Sequence, residues 1–247
     1  MKLTHGLATL VLLASASAAH AEVTGTVTVA SDYDFRGISQ TSKNPALQGS
    51  VDYAHDSGFY AGAWASNVDF DDAYDESIEI DTYAGFAGGE TLLWDVGLVY
   101  YWYPGAETSD GDSIDFGELY GSLGWKWIEG KIWYSPDFAN ADESAMYYEA
   151  NGTFELPANI GFTAHVGYSD GSYWDEFYDG GYTDWSVGLT YTVGHFDLAL
   201  KWIDGSDLAD LDDFCRDFDC SGLDKDTFST DSKVFFSVST TFPWSNE

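Results

Sequence analysis

Positive charge is what this sequence has least of: nine Lys and Arg stand against 42 Asp and Glu, for a formal net charge of −33. Such a chain repels phosphate backbones, which excludes nucleic acid as a partner. Cysteine is nearly missing too. Cys215 and Cys220 are the only two, so the fold is no disulfide scaffold. In an oxidising compartment this pair, flanking Arg-Asp-Phe-Asp, is expected to close one local disulfide. Proline is sparse, and no linker or break in composition divides the chain, which points to one domain. After Ala21 no apolar run approaches about 18 residues, so membrane-spanning helices are excluded. Aromatic residues, by contrast, make up 17% of the chain, and disordered acidic chains lack them.

The N-terminus carries Lys2, an apolar run from Leu7 to Leu13 and the small-residue tract Ala19-His20-Ala21. A positive start, a short apolar core and an A-x-A site make residues 1–21 a Sec signal peptide. Residues 22–247 then form the mature domain, beginning at Glu22. The apolar core is too short to cross a bilayer as a helix.

Beyond the leader, apolar residues recur every second position, the period of a strand with two different faces. In EVTGTVTVASDYDFR one face carries Val23, Val27, Val29, Tyr33 and Phe35. The other carries Thr24, Thr26, Thr28, Asp32, Asp34 and Arg36. About twelve such segments follow one another, at 23–36, 46–55, 59–68, 77–86, 92–103, 114–125, 131–138, 145–155, 161–170, 182–193, 195–203 and 231–242. The connections alternate long and short, which gives the two rims of the sheet different character. Outer-membrane barrels have short periplasmic turns and longer extracellular loops, and here the longer loops are acidic. A soluble antiparallel sandwich shares the alternation. Segment lengths of 9–12 residues suit a tilted membrane crossing instead. Tyr33, Tyr53, Trp102, Tyr103, Trp125, Trp127 and Trp202 fall near segment ends, as interfacial girdles do. The expected fold is therefore an all-β, transmembrane, antiparallel up-and-down barrel of about 12 strands. It belongs in the outer membrane of a Gram-negative bacterium, against lipid and lipopolysaccharide.

Several stretches carry a family likeness: SDYDFRGISQT, PALQGSVDYAHDSGFYAGAWASNVDF, Glu79 and Asp81 leading into YAGF, DVGLVYYWYPG and GYSDG. In these the chain resembles the TorF-family porins of Gram-negative outer membranes, most densely over residues 25–105. The resemblance implies a β-barrel and a pore, and it names no catalytic residue. Barrel chains of this kind end on an aromatic residue of the last strand. Phe242 takes that place here, with Pro243 to Glu247 following it.

The alternation assigns Asp32, Asp34, Asp52, Glu79, Asp81, Asp95, Glu118, Glu149 and Asp197 to the lumen, with Arg36, Lys201, Lys131 and Lys233 as the few cations there. Carboxylates between low-dielectric walls concentrate cations and repel anions. The expected function is passive diffusion of small polar solutes with a preference for cations, with no catalysis, cofactor or metal centre. The alternative is a non-conducting structural or adhesive barrel whose acidic loops bind divalent cations, since calcium favours oxygen-rich sites. Asp217, Asp219, Ser221 and Gly222 follow EF-loop spacing, but Phe228 stands where glutamate should close the loop. His165 and Ser169 share a face, yet four strand residues span about 13 Å, too far for a nucleophile and its base. Arg36 is one of only two arginines. Placed on the lumen face near a strand end, it is expected to fork to Glu79, Asp81 or Asp52, with Gly37 turning the chain into the first loop.

Overall fold

The computed structural model describes residues 21–70, 77–107, 112–178, 180–206 and 226–244. Twelve antiparallel strands close into a barrel: β1 (Ala21–Ala30), β4 (Ala46–His55), β5 (Phe59–Asn67), β6 (Ile78–Gly88), β7 (Leu92–Trp102), β8 (Phe116–Trp125), β9 (Ile128–Ser135), β10 (Ala145–Leu156), β11 (Ile160–Asp170), β12 (Tyr182–Val193), β13 (Phe196–Ser206) and β14 (Lys233–Phe242). Each strand pairs with the next, and β1 closes the ring by pairing with both β4 and β14. Closure leaves no unpaired strand edge, which a chain surrounded by hydrocarbon requires.

The period-two pattern sorts cleanly onto the two faces. Thr26 lies opposite Ser50 on β4 and Thr241 on β14, and its hydroxyl meets that of Thr241 at 2.9 Å inside the barrel. Val27, Leu47, Val51, Leu119, Leu123, Leu200 and Val234 all point outward and are exposed. An apolar surface this continuous suits lipid and not water. Tyr53, Trp102, Trp125, Trp127 and Trp202 stand on that outer face as expected of a girdle, but Tyr33 and Tyr103 are buried in the interior. Tight turns at 56–58, 89–91, 126–127, 157–159 and 194–195 form one rim. The longer connections, those that follow β1, β5, β7, β9, β11 and β13, leave from the other. Among the described residues no helix is long and apolar enough to cross a membrane.

The first segment departs from expectation. β1 ends at Ala30, so Asp32, Asp34 and Arg36 belong to a connection and not to a membrane-length strand. Residues 31–45 turn back into the barrel and carry a small hairpin, β2 (Asp34–Phe35) paired with β3 (Ile38–Ser39). Its two-residue turn, Arg36-Gly37, has φ of 52° and 85°. Tight hairpin turns of this kind need positive φ at both central positions, which glycine adopts freely and arginine only at a cost. A Cβ on Gly37 would come within 2.9 Å of Asp184 Cβ on β12, so the turn lies directly on the wall three strands round from β1.

The apolar core sits inside the barrel at the long-loop rim and is made largely of rings. Phe138 in the turn Phe138–Asn140 meets Phe116 of β8 at 4.5 Å and Trp174 at 5.8 Å. Trp174 belongs to α1 (Ser172–Tyr178) and meets Tyr182 of β12 at 4.9 Å. Phe70 bridges Tyr103 and Phe228 from two other connections. The described parts of these loops thus pack their rings inside the barrel in place of standing in solvent.

Below this cap, tyrosines lie flat across glycines of neighbouring strands. A Cβ on Gly97 would come within 2.5 Å of Tyr120 Oη and 2.8 Å of Tyr60 Oη, and one on Gly62 within 2.6 Å of Tyr83. Gly97→Ala must therefore displace the two phenols and break their contacts with each other and with Asp95. Overpacking of this kind costs about 1–3 kcal/mol. The expected result is a lower urea midpoint for the folded barrel in detergent, with an unchanged slope.

Candidate functional site

The candidate site is the inner wall together with the hairpin that crosses it. Inward positions alternate along each strand, so β6 presents Glu79, Asp81 and Tyr83 together, and β10 presents Tyr147, Glu149 and Asn151. The predicted lumenal acids fall into three groups by height.

Nearest the long-loop rim, the hairpin ties together strands that are far apart in the barrel. Lys233 Nζ on β14 reaches Asp32 Oδ2 at 2.6 Å and Asp34 Oδ1 at 2.8 Å. Asp32 also accepts from Ser39 Oγ and Thr41 Oγ1 at 2.7 and 2.9 Å, which locks the stem of the loop. Arg36 Nη2 donates to Glu118 Oε2 on β8 at 2.7 Å, and both side chains are almost fully buried. Tyr101 Oη on β7 donates to the same oxygen at 2.9 Å, while Tyr182 Oη on β12 donates to the Arg36 carbonyl at 2.9 Å. The guanidinium carbon lies 4.3 Å from the Tyr147 ring centre, 4.7 Å from Phe35 and 5.6 Å from Trp133. Burial opposes the charge on Arg36, but Glu118 outweighs it, so the guanidinium is held more firmly charged than usual. Arg36 reaches the inner wall from the hairpin turn and not from a membrane-length strand, and its carboxylate is Glu118 and not Glu79, Asp81 or Asp52. The difference follows from the hairpin, which carries Arg36 across the barrel. Glu79 instead accepts from Tyr33 Oη at 2.8 Å, and it and Asp81 are buried.

The middle layer joins acids to aromatic residues. Tyr60 Oη donates to Asp95 at 2.6 Å and meets Tyr120 Oη at 2.5 Å; Tyr83 Oη donates to Asp52, which also accepts from Ser50 Oγ at 2.7 Å. Trp133 Nε1 and Asn151 Nδ2 donate to Glu149 at 2.7 and 2.8 Å. Lys131 Nζ sits 3.9 Å from the ring centres of both Tyr120 and Trp133. Lys201 faces inward on β13, 5.8 Å from the Phe235 ring centre. Asp197 lies apart, near the tight-turn rim, accepting from Thr192 Oγ1 at 2.6 Å.

Sequence reasoning missed Asp184 and Glu129, although TDWSVGLTYTV alternates plainly enough to place Asp184 inward. It also missed the inserted hairpin. His165 Nδ1 meets Asn151 at 2.7 Å and its Nε2 meets Asp184 at 2.9 Å and Tyr147 Oη at 3.0 Å. Neither nitrogen is left for Ser169. At the outer rim Lys43 Nζ bridges Asp226 at 3.1 Å and Asp231 at 2.8 Å. Partial burial opposes its charge, but these hydrogen bonds prevail and its pKa is raised. Among the described residues no group of three or more His, Cys, Asp or Glu is placed to hold a metal ion. Most of the acidic loop sequence, including Asp217, Asp219 and Ser221, lies outside the described residues, as do Cys215, Cys220 and residues 1–20.

Past the last strand, Trp244 stacks on His195 with ring centres 4.9 Å apart and donates through Nε1 to Thr240 Oγ1 at 2.9 Å. The residues after Phe242 thus begin by folding onto the tight-turn rim.

The barrel is similar to two solved structures. One is of the KdgM porin, at 8% identity over 90% of this chain and 99% of that one, with a TM-score of 0.52. The other is the NanC porin structure in rhombohedral crystal form, at 11% identity over 90% of this chain and 100% of that one, with a TM-score of 0.53. At these identities the likeness speaks for the fold alone. No curated protein matches the chain. Residues 14–242 match the Gcw_chp family, bacterial proteins of unknown function, and the chain belongs to that family.

Proposed function

We propose that this protein is an outer-membrane channel for passive diffusion of small polar solutes, with a preference for cations. The observation that carries this reading is the charge of the inner wall. Asp52, Asp95, Glu129 and Glu149 line its middle with Lys131 among them, and that lysine is itself covered by two rings. Between low-dielectric walls such an excess of carboxylates raises the local concentration of cations and excludes anions. The likeness to KdgM and NanC in fold, and the resemblance to TorF-family porins in sequence, support the same reading. In it residues 1–21 are a signal peptide removed on export from a Gram-negative cytoplasm, and 22–247 form a single domain set in lipid and lipopolysaccharide. No catalytic step is assigned: the two nitrogens of His165 meet Asn151, Asp184 and Tyr147.

One observation favours a second reading. The hairpin and the aromatic cap occupy the outer part of the lumen, as they would in a barrel that does not conduct. Planar-bilayer recording across a potassium chloride gradient separates the two. A reversal potential of the sign set by potassium, weakened by Asp52→Asn with Asp95→Asn, is the expected result. Silence under all voltages would select the closed barrel, and an anion-driven reversal would overturn the cation preference.

A further inference from the structure

The hairpin's guanidinium occupies a box whose walls, Phe35 apart, belong to the barrel. Glu118 comes from β8, Trp133 from β9, Tyr147 from β10 and Tyr101 from β7, all on rigid strands. Only the guanidinium itself and Phe35 come from the loop. The box is therefore formed whether or not the loop occupies it. It also holds one acceptor more than Arg36 fills: Glu118 Oε1 is buried with no hydrogen-bond partner among the described residues, while Oε2 receives both Arg36 and Tyr101. A buried carboxylate oxygen left without a donor is costly, and a planar fork that reaches both oxygens would satisfy it. Aromatic faces around a carboxylate are the chemistry that recognises a delocalised organic cation.

We propose that this box is a binding site for guanidinium-bearing solutes, and that a solute entering it replaces Arg36 and frees the Arg36-Gly37 tip of the hairpin from the wall, while Lys233 still holds its stem. The idea rests on the channel reading and deepens it, since it names the solute class that the wall recognises and makes that solute the opener. The tether sets the working range. A side chain on a short loop acts at an effective concentration of about millimolar, so a free guanidinium must reach that level to compete. Sodium and potassium lack both the fork and the attraction to ring faces beyond simple charge, and tetramethylammonium lacks donors. None of the three should replace Arg36.

The test uses the full chain in planar bilayers and in liposomes, with methylguanidinium as probe and sodium or tetramethylammonium at equal ionic strength as controls. Two readouts are taken: open probability, and proteinase K cleavage between residues 34 and 40. Methylguanidinium alone should raise both. Glu118→Gln, which weakens the hold on Arg36 and on the probe alike, should raise both readouts before probe is added and leave about a tenth of the wild-type response to it, and Tyr147→Leu should shift in the same direction. Heat-modifiable gel migration shows that each variant has assembled. Should Glu118→Gln fail to assemble, Tyr147→Leu and the wild-type cation series still decide. Equal responses to sodium, or wild-type behaviour in both variants, would overturn the proposal while leaving the channel reading in place. Cleavage induced by methylguanidinium in a barrel that never conducts would uphold the site and overturn the channel.

Discussion

Arg36→Met should destabilise the barrel by about 3–5 kcal/mol, and adding Glu118→Leu should recover most of that loss. Two opposite charges about 4 Å apart gain about 4 kcal/mol at an effective dielectric of 20. Removing both from water costs several kcal/mol per ion, so the pair is close to neutral against an apolar replacement. Breaking it on one side is different, because the surviving charge stays buried and uncompensated. The two single changes should not be equal. Without Arg36, Glu118 keeps only Tyr101 Oη as donor, and its Oε1 is already unpartnered. Without Glu118, the guanidinium still lies over Tyr147, Phe35 and Trp133. Glu118→Leu alone is therefore expected to cost less than Arg36→Met alone. The double variant retains a deficit of about 1 kcal/mol, the hydrogen bond that Tyr101 loses. Urea unfolding of the assembled barrel measures all three. If the double change equals the sum of the singles within about 0.5 kcal/mol, the two residues are not coupled and Arg36 does not latch the loop.

The barrel was legible because lipid and water impose opposite demands on successive residues. Val23, Val27 and Val29 against Thr24, Thr26 and Thr28 could not be placed in a sheet in any other way, and a slip of one residue would turn every threonine to lipid. The same rule assigned Asp52, Glu79, Asp95, Glu118 and Glu149 inward without any knowledge of their partners. The inserted hairpin was not legible by that rule. Asp32, Asp34 and Arg36 keep the period of two whether the strand runs on or folds back, since a hairpin alternates as a strand does. What distinguishes the two is a chain reversal, here fixed by long-range contacts: Ser31 N donates to Phe236 O at 2.8 Å, and Lys233 holds the stem. The local sign was present in Arg36-Gly37, a pair ending in glycine of the kind that tight turns use. Tyr33 and Tyr103 misled for a related reason. An aromatic residue at a strand end reads as a girdle residue, but loops that fold inward give it an interior to enter. Asp184 needed no tertiary knowledge, only a more literal use of the alternation, whereas Glu129 was hidden by a boundary: the segment expected at 131–138 runs as Ile128–Ser135.

Lys233→Met should loosen the stem of the hairpin and make the barrel's stability depend on pH, and the two carboxylates it leaves behind should not suffer alike. Asp32 keeps two hydroxyl donors, Ser39 and Thr41. Asp34 keeps only the Gly37 amide, at 3.3 Å. Stranding a buried carboxylate costs about 3–5 kcal/mol, so most of the loss belongs to Asp34. A second change, Asp34→Asn, should restore stability, whereas Asp32→Asn should not. Burial already raises the Asp34 carboxyl above its ordinary value; Lys233 pulls it down, and Asp184 and Asp32 add to the rise. A carboxyl raised in the folded state stabilises the fold fully below its unfolded value, and that contribution is lost as pH climbs through the folded value. Without Lys233 the downward pull is gone, so the loss becomes larger and extends to higher pH than in the wild type. Unfolding midpoints of Lys233→Met should therefore fall steadily from acid toward neutral pH, and those of the variant that also carries Asp34→Asn should lose this dependence. A pH profile parallel to that of the wild type would mean that Lys233 does not hold Asp34 in the folded barrel. The stem would then rest on Asp32, through Lys233, Ser39 and Thr41, and on the backbone bond from Ser31 to Phe236.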